Sequence, residues 1–164
     1  MTGSVVQIST SRGGVPKLPI PEGVITPLGL EGDEHAHPQI HGGPRQAVLV
    51  ISAEGVDDLV TLGFPLSYGS LGENITTRGL DRRFWRAGQR WRVGSAVIEF
   101  TKLRQPCDTL SVYGPGIQGA VYDARVKAGD ALSPRWGLGG FYASVVQPGV
   151  VRAGDPISLL DMAV

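Results

Sequence analysis

A mainly β fold, sandwich or barrel, is what this sequence predicts, on three observations. Glycine and proline are frequent, 24 and 12 among 164 residues, and they are scattered as punctuation along the whole chain. Between them run short apolar segments of strand length, separated by turn signals. No internal repeat, low-complexity tract or linker-like stretch divides the chain. Residues 1–164 are therefore expected to form one domain, of a size that buries roughly 70% of its unfolded surface without a disulfide or structural metal.

In chain order, Ser4–Ser9 (SVVQIS) reads as the first strand. Ser11–Pro27, with four prolines and three glycines, reads as an irregular surface connection. Gly29–Val50 holds all three histidines, His35, His37 and His41, and runs into an apolar strand, Gln46–Ile51. Ser52 is a suitable N-cap for a helix over Ala53–Leu62, with Gly63 free to take the left-handed position that ends it. Pro65–Gly72 is turn-rich. Arg90–Val93 and Ala96–Leu103 flank Gly94-Ser95, a two-residue hairpin turn. Asp108 or Thr109 is suited to cap a short helical turn reaching Val112. Apolar spacing suggests a helix over Ile117–Lys127, and Phe141–Gln147 and Pro156–Leu160 read as closing strands around a turn, short strand and turn.

Charge is balanced at 15 basic and 15 acidic residues, which argues against a nucleic-acid binder or an anionic-membrane binder. A small anionic ligand needs only a few local cations, and twelve of the fifteen are arginine, the better planar binder of phosphate and carboxylate. The lone Cys107 excludes an internal disulfide, the N-terminus lacks a signal-peptide pattern, and no apolar run approaches the roughly 20 residues of a membrane span. A cytoplasmic protein is expected.

A polar, glycine-broken loop that ends in a buried strand is how a scaffold presents chemistry. The histidine loop is one such segment, and the expectation is that it shares a pocket with Cys107. Cys107 follows a proline at a strand end, with Arg104 three residues before it and Thr109 and Ser111 close after. A lone cysteine is more often a small buried hydrophobe. The spacing H-x-H-x3-H suits zinc if the backbone is extended, although Pro38 interrupts it; loop histidines that merely hydrogen-bond are the alternative. Gly32-Asp33, Gly42-Gly43 and the Gly72–Asn74 turn either let backbone approach an anion or are ordinary tight turns. Trp85, Trp91 and Trp136 suit stacking on a planar ligand or, more usually, core packing.

In combination, GGVPKLP at Gly13–Pro19, GLEGDEH…HGG…AVLV across Gly29–Val50, GSLGENITTRGLD at Gly69–Asp81, WRVGSAVIEFTKLRQPC at Trp91–Cys107 and GGFYASVVQPGVVRAGD at Gly139–Asp155 resemble the MOSC domain family (molybdenum cofactor sulfurase C-terminal domains), in its compact, single-domain bacterial form. The resemblance implies a closed, Greek-key-like β-barrel with a few short helices packed outside. It implies binding of molybdenum cofactor (Mo-molybdopterin), with Cys107 as catalytic residue and molybdenum ligand. The family's cofactor-binding positions fall on Gly32, Asp33, His35, His41, Gly42, Gly43, Gly72, Glu73 and Asn74. The charge such a cofactor needs is assigned to Lys17, Arg45 and Arg104, and contact with the pterin edges to Asn74. The implied activity is an oxidoreductase that reduces N-hydroxylated substrates with electrons from a separate electron-transfer protein. The alternative is a sulfur carrier, with Cys107 as persulfide fed by a sulfur-donor protein, or a cofactor-binding module without turnover. Ser144 stands where members of the family more often carry arginine.

Overall fold

The computed structural model describes residues 1–162. In chain order the strands are β1 Thr2–Thr10, β2 Leu18–Ile20, β3 Glu22–Thr26, β4 Gly29–Leu30, β5 Val48–Ser52, β6 Ile75–Arg78, β7 Gln89–Val93, β8 Ala96–Leu103, β9 Phe141–Gln147, β10 Gly149–Arg152 and β11 Pro156–Met162. Three short helices, α1 Ala53–Thr61, α2 Ile117–Val121 and α3 Ala124–Lys127, lie between them. The main sheet runs β11-β7-β8-β9-β5-β6-β1, and β1 pairs back onto β11, so seven strands close a barrel. Every neighbouring pair in it is antiparallel except β5–β6. The barrel class with external helices is thus the one the resemblance implied.

Burial explains why β5 is an unbroken apolar run. Val48 and Val50 point into the barrel, where they meet Trp91, Phe100 and Phe141. Leu49 and Ile51 point outward into a second core with Val56 and Leu59 of α1 and with Leu110, Ile117 and Val121. A strand covered on both faces has no reason to alternate. Trp85, Trp91 and Trp136 are all buried, and Phe100 and Phe141 stack among them at a centroid separation of 5.2 Å. Of the two uses open to the tryptophans, core packing is the one they have.

Three local expectations are overturned. The segment Ser11–Pro27 is not irregular throughout: it contains β2 and β3. β2 lies at the edge of the main sheet, where the missing N–H of Pro19 costs little. β3 alternates buried Gly23 and Ile25 with exposed Glu22 and Val24, and pairs with β10 and β4 in a small second sheet. The helix over Ile117–Lys127 is two helices. Tyr122 is extended at φ −154°, and the Asp123 carboxylate accepts the Val126 N–H at 2.8 Å, starting a new helix where the old one would have continued. The turn after Cys107 is a 3-10 helix over Asp108–Tyr113 whose N-cap residue is Cys107 itself, without a side-chain cap. Elsewhere the reading holds closely. The Ser52 hydroxyl accepts the Gly55 N–H at 3.1 Å and begins α1, and β7 and β8 meet at Gly94-Ser95 with Val93 opposite Ala96. No helix among the described residues is long and apolar enough to cross a membrane.

Candidate functional site

The site begins with the residues that fasten its loops. Asn74, just before β6, sends its backbone N–H to the Leu49 carbonyl and accepts the Leu49 N–H on its side-chain oxygen at 3.0 Å. Its amide N–H groups reach the Ser9 carbonyl at 3.3 Å and the Asp33 carboxylate at 2.9 Å. The other oxygen of Asp33 accepts the Ser11 N–H at 3.0 Å and the Lys17 ammonium at 2.6 Å. Lys17 and Asp33 are both nearly sealed, with side chains 7% and 3% exposed. This buried network ties the 31–34 loop to the ends of β1, β5 and β6, so the histidines that follow are held against the barrel.

They face a cleft of about 630 Å³, its open mouth included. Its walls include Gly14, Val15 and Lys17 from one loop, His35, His37, His41 and Gly42 from the next, and Gly72, Arg104, Cys107, Thr109 and Tyr142 from the barrel rim. The histidine loop and Cys107 therefore share one pocket, although 65 residues lie between His41 and Cys107 in the chain. Of the positions singled out from sequence, Lys17, His35, His41, Gly42, Gly72, Asn74, Arg104 and Cys107 line the cleft. Gly32, Asp33, Gly43, Arg45 and Glu73 do not. Gly32 forms an exposed turn, and Gly43 precedes an exposed 3-10 turn, Pro44–Gln46, that carries the Arg45 side chain into solvent. Asp33 and Glu73 lie behind the wall. Both amide hydrogens of Asn74 are engaged by protein acceptors, so the contact with pterin edges assigned to it meets an amide already committed to the framework.

Gly42 is a position where the backbone needs glycine. It has φ +83°, and a Cβ there would lie 2.8 Å from the His35 ring. The imidazoles of His35 and His41 are both held below the usual value. Partial burial is the larger cause for each, reinforced for His35 by the Lys17 charge and for His41 chiefly by the Arg104 charge. At neutral pH they are uncharged and present one donor and one acceptor each. Among the described residues no three His, Cys, Asp or Glu side chains converge as a metal-binding group, so the H-x-H-x3-H spacing does not build a zinc site.

Arg104 is the electrostatic centre. It is 4% exposed, and its terminal nitrogens donate to the carbonyls of Leu71 at 2.8 Å and Gly139 at 3.5 Å, while Nε–H has no partner. Among the described residues no carboxylate forms an ion pair with it, unlike Lys17. Burial lowers its proton affinity, opposed by the nearby Tyr142, Cys107 and Glu73. Cys107 is half-buried, and its Sγ lies 3.2 Å from the Thr109 hydroxyl. Tyr142, which sequence reasoning missed, contributes a phenol whose proton is held more tightly because of burial. Its face was readable, since Phe141 and Ala143 point into the barrel and Tyr142 must point out; that the outward side faces this cleft was not. Ser144 pairs with Glu99 in the β8–β9 ladder and is not among the cleft residues.

The MOSC domain profile matches residues 37–158, well over half of the chain. This protein is a member of the MOSC domain family. The MOSC chain is 31% identical to protein YiiM of Escherichia coli over 145 residues, covering 84% of its own length and 58% of that protein's. It is 33% identical to the uncharacterized protein YflK of Bacillus subtilis over 132 residues, 80% of this chain and 55% of that one. The chain thus spans a little over half the length of these relatives. The crystal structure of E. coli YiiM superposes with a TM-score of 0.70 at 26% identity, covering 99% of this MOSC chain and 71% of that chain. That of B. subtilis YuaD superposes at 0.70 with 21% identity, 96% of this chain and 94% of that one, a likeness of fold.

Proposed function

We propose that this MOSC protein binds molybdenum cofactor in the cleft and reduces N-hydroxylated substrates with electrons supplied by a separate electron-transfer protein. The observation that carries the reading is the buried Arg104, whose Nε–H is unpartnered and whose charge no carboxylate meets directly among the described residues, on the wall of a cleft that also holds the chain's single cysteine. The donor set fits such a group. A cysteine thiolate is a soft ligand that suits molybdenum already held by dithiolene sulfur. Arg104 supplies positive charge toward the anionic cofactor in a poorly solvated setting, where charge-assisted hydrogen bonds are strongest. Lys17, matched to Asp33, adds shape more than net charge.

When bound, the cofactor supplies a metal that exchanges two electrons and takes up or gives up oxygen. The chain's own contributions are binding and orientation. Cys107 offers the ligand, and the Thr109 hydroxyl beside it donates a hydrogen bond to the sulfur once it is thiolate. Neutral His35 and His41 give donors and acceptors along the wall, suited to an uncharged polar substrate. Tyr142 offers a phenol that stays protonated.

A second reading rests on the partial exposure of Cys107: as a persulfide it would carry sulfane sulfur received from a sulfur-donor protein. Metal and pterin analysis of protein made in a cofactor-producing host, beside Cys107→Ser, tests the first reading. Molybdenum near one per chain in wild type and its loss in C107S is the expected result. Metal-free wild type that also fails to take up added cofactor overturns it, and intact-mass detection of a persulfide on wild type alone supports the second.

A further inference from the structure

The turn at residues 69–73 brings three features to the cleft wall. Its Leu71 carbonyl accepts a hydrogen bond from Nη2 of Arg104 at 2.8 Å. Its Gly72 lines the cleft and leaves a gap beside that nitrogen, since a Cβ there would lie 4.0 Å from Nη2 and 3.4 Å from Val15. Its last residue, Glu73, is fully buried and turns back on the first. One carboxyl oxygen accepts the Gly69 N–H at 2.7 Å and the Thr76 hydroxyl at 3.3 Å. Next to Glu73, the Asn74 N–H donates to the Leu49 carbonyl and the Asn74 carbonyl receives the Ser9 N–H, both at 2.9 Å, so this end of the turn is bound to β5 and β1. The Glu73 side chain carries that anchorage across to Gly69. A carboxyl group is a costly way to close a turn for stability alone. It is enclosed, and its second oxygen has no partner among the described residues, so the loss of hydration is only partly offset. What it supplies, and an apolar side chain would not, is a fixed separation between the two ends.

We propose that Glu73 is a positioning residue for Arg104: by holding Gly69 it fixes the turn whose Leu71 carbonyl sets the guanidinium beside the gap at Gly72, and so sets where the anionic part of the cofactor is held. This rests on the cofactor-binding part of the proposed function and does not need the reductase step. Glu73 itself touches neither cofactor nor substrate; the guanidinium meets the anion. Charge-assisted hydrogen bonds depend on distance and direction, so a guanidinium released from Leu71 binds the same anion less well.

Glu73→Ala removes the acceptor. Glu73→Gln keeps an oxygen for the Gly69 N–H, and because burial favours the uncharged form of Glu73, the amide also matches its charge. In cofactor-free protein titrated with molybdenum cofactor, E73A is expected to bind about tenfold more weakly than wild type, and E73Q to bind like wild type. Arg104→Gln should weaken binding too, and E73A added to R104Q should weaken it no further, because Glu73 acts through Arg104. A general loosening of the fold would instead lower affinity by the same factor in both backgrounds, and that result overturns the proposal. R104Q weakened with E73A unchanged overturns the proposal alone. R104Q that binds as well as wild type overturns the part given to Arg104 in the proposed function, and the positioning role with it. A crystal structure of cofactor-free E73A gives a readout that needs no cofactor. The Leu71–Arg104 contact is expected to open beyond hydrogen-bond distance, and a contact kept at its wild-type length overturns the proposal. If E73A does not fold, Glu73→Asp, whose carboxylate is one methylene short of Gly69, carries the same expectations.

Discussion

Replacing Asp33 with alanine removes the one acceptor on which three donors converge: the Lys17 ammonium at 2.6 Å, the Ser11 N–H at 3.0 Å and the Asn74 amide at 2.9 Å. Lys17 would remain 7% exposed with a charge that nothing offsets. Removing one partner of a buried pair costs about 3–5 kcal/mol, because the surviving charge is stranded. The two neutral donors do not add their full share, since the freed 31–34 loop admits water to them. Urea unfolding of Asp33→Ala should therefore give a loss of about 3–5 kcal/mol. Asp33→Asn should also be destabilised, by about 1–3 kcal/mol, because an amide brings a donor to a place where every neighbour donates. Lys17→Ala in the Asp33→Ala background should cost little more, or restore stability, since it removes the stranded charge. The control is Glu99→Ala at the more exposed Arg90–Glu99 pair, with side chains 37% and 24% exposed, where the loss should stay within about 1 kcal/mol of wild type. If Asp33→Ala costs no more than Glu99→Ala, the network does not hold the histidine loop to the barrel.

Gly42→Ala should cost about 1–3 kcal/mol and shift the His35 ring resonances in NMR spectra, because the new methyl is strained at φ +83° and meets the ring at 2.8 Å. Ile51→Ala should cost about 2–5 kcal/mol by denaturant unfolding, since Ile51 fills the outer core; a surface-like loss under about 1 kcal/mol would deny that β5 is buried on both faces. For His35 and His41 the folded pKa values lie below the unfolded one, so the unfolded chain binds more protons in that window and stability falls as pH drops below about 6.5. A His35→Gln/His41→Gln variant should show a flatter stability profile there, and an equal slope would mean that both rings are solvated.

Local structure was largely legible in the residues. Ser52 and Gly63 bracket α1, Gly94-Ser95 sets the β7–β8 hairpin, and the apolar run of β5 marks a strand covered on both sides, because each depends on nearest neighbours and on a period that the chain itself carries. Cys107 and the histidines were readable as reactive groups by type alone. Where the reading failed, at β2 and β3 and at the break at Tyr122, a distant partner or one capping carboxylate outweighed local preference. Only the tertiary structure decided which groups meet. The sheet order β8-β9-β5 brings the end of β8, and Cys107 after it, to the histidine loop that runs into β5, Asp33 proves to be a fastening behind the wall, Arg45 turns to solvent, and Tyr142 of β9 joins the cleft. Burial and electrostatic coupling act over a few ångströms of space, whereas spacing along a chain records only how many residues intervene.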